Sequence, residues 1–202
     1  MKKLNVYLMA GALLVGGTSC KKTETAVDNV NSVPKTVLES IKQLGFSTDH
    51  VVAKNGGYLV EGDIFLTNEN LSGQSESQSL RIADVEHYRT TNLVRIPRTV
   101  TVSVSNPTEP YSQATDIAIQ RYNALNLKLK FKRVSSNGNI DIVGFDEGSD
   151  SGYITLGSSG FPTLAGAPYG EILMNTNADA YGANPDVLYL ASVLTHEIGH
   201  CI

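Results

Sequence analysis

The sequence predicts an α+β fold in which a β-sheet is backed by helices and a helix ends the chain. Three observations carry this. Residues 98–105 (RTVTVSVS) and 127–134 (LKLKFKRV) alternate in the two-residue period of half-buried strands. Residues 111–125 and 187–198 place apolar side chains at helical spacing. Turns rich in glycine, proline and asparagine separate these segments.

The elements follow in order. Lys2 and Lys3 make a basic start, residues 4–15 are mostly apolar, and Gly16, Gly17, Thr18 and Ser19 lead to Cys20. That run is too short for a spanning helix, which needs about twenty residues, and reads as a signal over 1–19. Its small residues before a cysteine resemble a bacterial lipoprotein signal, implying that Cys20 is lipidated as the first mature residue. A plain secretory signal is the alternative, and both export the protein. Residues 20–31 are polar and mixed in charge, as a flexible tether is.

Residues 32–95 read as a small N-terminal subdomain. Ser32 can cap a helix opened by Pro34, Val37, Leu38, Ile41 and Leu44 share a face, and Gly45 ends it. Residues 57–67 (GYLVEGDIFLT) form extended segments interrupted by Gly62, and residues 68–79 are a serine-rich loop. Residues 96–202 have a different rhythm. Strand 98–105 leads through a proline-rich turn to helix 111–125 and then to strand 127–134. A more buried strand covers 140–145, and shorter strands cover 153–156 and 171–175 around a loop of glycine and proline.

The last helix has Asn184 as its expected N-cap, Pro185 at its first position and Asp186 at the positive end of its dipole. It carries His196, Glu197, Ile198, Gly199 and His200, an HExxH motif. Residues four apart share a helical face, so His196 and His200 can offer two imidazole nitrogens to one metal ion. Glu197 stands where such sites keep the general base that takes a proton from metal-activated water. Zn2+ is the expected cofactor and peptide-bond hydrolysis the expected chemistry. The bland alternative is a buried helix whose histidines hydrogen-bond. Cys201 projects about 100° from His200 and reads as a packing thiol.

Composition narrows the partners. Cleaving the signal removes Lys2 and Lys3 from 16 basic residues, leaving a formal charge of 14 − 20 = −6. That balance disfavours nucleic acid and electrostatic adhesion to anionic lipid, so membrane contact would come through the lipid anchor only. With Cys20 lipidated, the two cysteines form no internal disulfide.

The order strand, helix, several strands and HExxH helix resembles the upper subdomain of the metzincin zinc peptidases, where a twisted mixed sheet backs the metal helix. The form HEIGH, with GSSGFPTLAGAPYGEILMNT before it, is similar to the dual-action HEIGH metallopeptidase family of bacterial secreted proteases. That resemblance implies a zincin-like (metzincin-type) fold and a zinc-dependent endopeptidase, with an edge strand within 153–162 aligning a protein or peptide substrate by strand addition. The family pattern HExxHxxGxxH transfers only His196, Glu197 and His200. Its glycine and third histidine would fall beyond Ile202, which implies a chain cut short. Catalytic zinc usually takes three protein ligands; His50 and His87 are the upstream histidines, each with bland exposed or hydrogen-bonded roles.

Residues 60–64 (VEGDI) resemble the glycine-aspartate motif in the pro-segments of astacins, a related metzincin group, where the aspartate binds zinc in place of the catalytic water. This makes Asp63 a candidate latency ligand, residues 32–95 a candidate pro-segment and the basic stretch 89–98 a candidate cleavage region. Gly62 permits close backbone approach and Asp63 offers an oxygen ligand. A tight turn with a solvated aspartate is the other reading. A function of a different class also stands: an inactive, truncated, lipid-anchored binding or structural module that keeps the sheet.

Overall fold

The computed structural model describes residues 33–72, 80–81, 88–89, 92–150 and 152–202. The predicted signal, the tether, Cys20, Ser32 and His87 lie outside the described residues.

Helix α1 (Lys35–Gln43) starts after Pro34 and ends at Gly45, whose φ of 93° suits a residue without a Cβ. Strands β1 (Val52–Lys54), β2 (Gly57–Val60) and β3 (Ile64–Thr67) then form an antiparallel meander. The β2–β3 turn carries positive φ at Glu61 (54°) and Gly62 (90°), and the Asp63 amide donates to the Val60 carbonyl at 3.3 Å. Glu61 is anchored in this unusual conformation because its Oε1 accepts from the Ser47 amide at 2.6 Å. Asp63 therefore leaves the turn at a fixed place.

A short helix, α2 (Asn68–Leu71), interrupts the predicted 68–79 loop because Thr67 and Asn70 form a capping box. Strands β4 (Leu80–Arg81) and β5 (Tyr88–Arg89) pair with each other. The expected series follows as β6 (Arg98–Val104), α3 (Glu109–Ala124), β7 (Leu129–Arg133), β8 (Ile140–Phe145), β9 (Gly157–Ser159), β10 (Glu171–Asn175), the short α4 (Ala178–Tyr181) and α5 (Val187–His200).

Eight strands form one mixed sheet in the order β1-β2-β3-β9-β10-β8-β6-β7. Strands β7, β6, β8 and β10 run parallel, β9 is antiparallel to β10, and β3 lies parallel to β9. Helices α3 and α5 bury their apolar faces on the parallel part. Val100, Val102, Ile140, Ile142, Ile172 and Met174 meet Ala114, Ala118, Leu190, Leu194 and Ile198 there. A second, smaller cluster gathers Ile41, Phe46, Val60, Ile64 and Leu66 around Phe161. The N-terminal segment thus has its own core, yet its strands extend the same sheet.

Two local expectations are corrected. Helix α5 is capped by Asp186, not Asn184, because the Asp186 carboxylate accepts from the Tyr189 amide at 2.8 Å. Pro185 accordingly precedes the helix. The strand expected at 153–156 lies instead at β9, and Tyr153 makes only an isolated bridge with Asp150. Gly157, Ser158 and Ser159 have little strand propensity, but all three are buried and pair with Met174, Leu173 and Ile172 of β10.

The core placement sets a stability expectation. Leu194 is fully buried, so Leu194→Ala should cost about 2–5 kcal/mol in urea denaturation. Leu188, 61% exposed on the same helix, should tolerate alanine within about 0.5 kcal/mol. Equal effects at the two positions would contradict the packing of α5.

Candidate metal centre

Helix α5 sets the geometry. His196 and His200 stand one turn apart with rings nearly perpendicular at 89°, and their Nε2 atoms are 3.0 Å apart. Phe161 packs edge-on against His200, with ring centroids 5.8 Å apart. Gly199 between the two histidines faces α3, where an added Cβ would sit 3.1 Å from the Tyr122 hydroxyl. That hydroxyl donates to the Thr195 carbonyl at 2.8 Å, tying the motif to α3. A side chain at Gly199 would press on this tie.

Asp63 enters from the other end of the sequence. The Ser159 amide donates to the Asp63 carbonyl at 3.0 Å and Ile64 registers with Ser159, so the β2–β3 turn is held over α5. Asp63 Oδ2 lies 2.9 Å from His196 Nε2 and 3.7 Å from His200 Nε2. Burial pushes the Asp63 carboxyl up, but the hydrogen bonds and charges of His196 and His200 outweigh it and hold the group below its usual range.

These donors fit a zinc ion. Their mutual distances of 3.0, 2.9 and 3.7 Å bracket the separation of about 3.3–3.4 Å between tetrahedral ligands at ordinary zinc–nitrogen distances. Hydrogen bonding alone serves the cluster poorly. His196 Nε2 lies within hydrogen-bond distance of both Asp63 and His200, and one ring nitrogen carries either a single hydrogen or a lone pair. A cation between two imidazole nitrogens and a carboxylate satisfies all three.

Glu197 sits beside this cluster with 1% of its surface exposed. Burial pushes its carboxyl up to about 8 and the Asp63 charge adds to the rise, while His196 and a hydrogen bond from Ser159 oppose it. Ser159 Oγ is 2.9 Å from Glu197 Oε2 and 3.0 Å from the Glu197 carbonyl oxygen. Gly157, two residues earlier on the strand, leaves the space that the carboxylate fills. Neither Gly157 nor Ser159 was singled out by the sequence reading, since nothing in GSSG points to a partner on a helix forty residues away.

The remaining candidates fall elsewhere. His50 stacks on Tyr153 with centroids 3.9 Å apart and is outside the donor cluster. Cys201 is fully buried in the main core, as expected of a packing thiol.

Two solved structures of myroilysin are similar to the chain at 14% identity, with TM-scores of 0.40 and 0.37. Each likeness covers 55% of this chain, which spans 50% and 45% of the two myroilysin chains. No curated protein matches. A family model described as the dual-action HEIGH metallo-peptidase matches residues 58–202, from the hairpin that carries Asp63 through the motif helix. The mixed sheet backed by α3 and α5 fits the zincin-like fold expected of metallopeptidases. On that match, which spans most of its length, the chain belongs to the dual-action HEIGH metallopeptidase family.

Proposed function

We propose that this protein is a zinc-dependent endopeptidase whose folded, unprocessed form is held latent by Asp63. One observation carries the reading: Asp63, His196 and His200 converge on a single point beside the buried Glu197. A bound zinc ion lowers the pKa of its water and polarises a carbonyl. His196 and His200 would hold the ion, and Glu197 would accept the proton of the attacking water and return it to the leaving amine. Asp63 would fill the position that water needs.

The sheet supports a peptide as substrate. Within 96–202, β9 is the outermost strand on its side, and β3 of the N-terminal segment covers it. An extended peptide adding to β9 would take the place of β3. Displacing the hairpin would therefore uncover the strand and remove Asp63 together. Activating cleavage is better placed ahead of Val94 than across the whole basic stretch 89–98. The Val94 amide donates to the Ile202 carbonyl at 2.9 Å and the Arg95 amide to the Gly166 carbonyl at 3.0 Å. Such tied backbone resists proteolysis.

Export as a lipoprotein completes the proposal. Cys20 would carry the lipid, and membrane contact would run through it alone. Fatty-acid labelling should disappear in Cys20→Ala, and equal labelling of both forms would refute the anchor.

The functional test pairs zinc content after dialysis with casein cleavage, before and after limited proteolysis. We expect zinc in the intact protein, little cleavage, and a rise in cleavage when the N-terminal segment is removed. A chelator should abolish that activity and zinc restore it. Zinc-loaded, processed protein without cleavage would leave the lipid-anchored binding module as the better reading.

A further inference from the structure

We infer that Ser159 is the positioning residue of the Glu197 carboxylate, fixing its rotamer beside the donor cluster through contact with Oε2. This rests on the reading of Glu197 as general base. Ser159 is 1% exposed on β9, and its hydroxyl lies 2.9 Å from Glu197 Oε2 and 3.0 Å from the Glu197 carbonyl oxygen. It touches both the backbone and the side chain of Glu197, and it also reaches the buried Cys201 thiol.

Sheet formation does not require this hydroxyl. The Ser159 amide is already used by the Asp63 carbonyl, and the residue pairs with Ile172 on its other side. The side chain is left to face α5. Gly157 faces the same way, because side chains two apart on a strand share a face. A Cβ there would stand 3.2 Å from both Cγ and Oε1 of Glu197. The strand thus provides a hydroxyl, its one hydrogen shared between Oε2 and the Glu197 carbonyl, and a gap for Oε1, which together confine the carboxylate to one orientation. A buried carboxylate without such a donor would bear the cost of an unsatisfied charge or turn away.

A further consequence concerns the hairpin. Ser159 binds Asp63 through its amide and Glu197 through its hydroxyl. Departure of β3 breaks the first contact and leaves the second, so the base keeps its place when the cleft opens.

The test has a readout that does not depend on turnover. In the crystal structure of Ser159→Ala, Glu197 should leave its present rotamer or occupy more than one. A single unchanged Glu197 conformer would overturn the inference. In the processed protein, Ser159→Ala should lower kcat on a peptide substrate about 10- to 100-fold, the usual cost of losing such a supporting partner, with KM, zinc content and Tm near wild type. Ser159→Thr, which keeps the hydroxyl, should recover most of that loss. In a Glu197→Ala background, Ser159→Ala should cost nothing more. Wild-type kcat in Ser159→Ala, or an equal loss in the Glu197→Ala background, would also overturn it. Should Ser159→Ala fail to fold, Ser159→Cys, kept reduced because it would face Cys201, should still lower kcat because a thiol is a weaker donor, and wild-type kcat in it would overturn the inference. If Glu197→Ala itself keeps full activity, the general-base reading fails first, and the two failures are told apart.

Discussion

Glu197→Ala should remove nearly all peptide cleavage from the processed protein while leaving its zinc in place. The carboxylate is buried beside the donor cluster but is not among the three donor groups, Asp63, His196 and His200, that come together. Its loss should therefore act on proton transfer, where removing a general base costs about 100- to 10,000-fold. His196→Ala should differ, because it removes a donor and should take zinc with it. Zinc analysis beside casein cleavage separates the two effects. Wild-type cleavage by Glu197→Ala would sink the assignment, and loss of zinc in that variant would make Glu197 a ligand and not a base.

Asp63→Ala should turn the unprocessed protein on. Oδ2 of Asp63 is 2.9 Å from His196 Nε2, and on the proposed reading it would fill the position that a substrate carbonyl or water needs. Its removal should raise cleavage by unprocessed protein toward that of the processed form. Zinc should then be retained. A folded Asp63→Ala variant as inactive as unprocessed wild type, with processed wild type active, would end the latch reading. Loss of zinc and activity together would instead make Asp63 a permanent ligand.

The parts of the fold legible from sequence are those set by local periodicity. The alternation of 98–105 and the more buried run 140–145 became β6 and β8, and LKFKR within 127–134 became β7 with buried Leu129 and Phe131 and exposed Lys130 and Lys132. EILMN became β10 with the expected bounds. Helix α5 followed from its apolar stripe, and the convergence of His196 and His200 from their four-residue spacing alone. A helix fixes that spacing whatever surrounds it.

What sequence left open depends on which strands become neighbours. GSS carries no strand signal, and β9 exists because β10 and β3 flank it and because Gly157 makes room for Glu197. The 153–156 segment, with Tyr153 and Ile154, had the better local propensity and lost, since pairing and burial outweigh propensity in a sheet. Asp63 is marked by a short motif, but a tight turn with a solvated aspartate is the better fit to those residues taken alone. Only the register of Ile64 on Ser159 brings its carboxylate to histidines 133 residues away. Ser159 itself gave no sign at all, because a serine on a strand acquires a role from the helix that packs against it. Periodicity along the chain therefore determined the elements and the two histidines, whereas the order of strands in the sheet decided what stands opposite them.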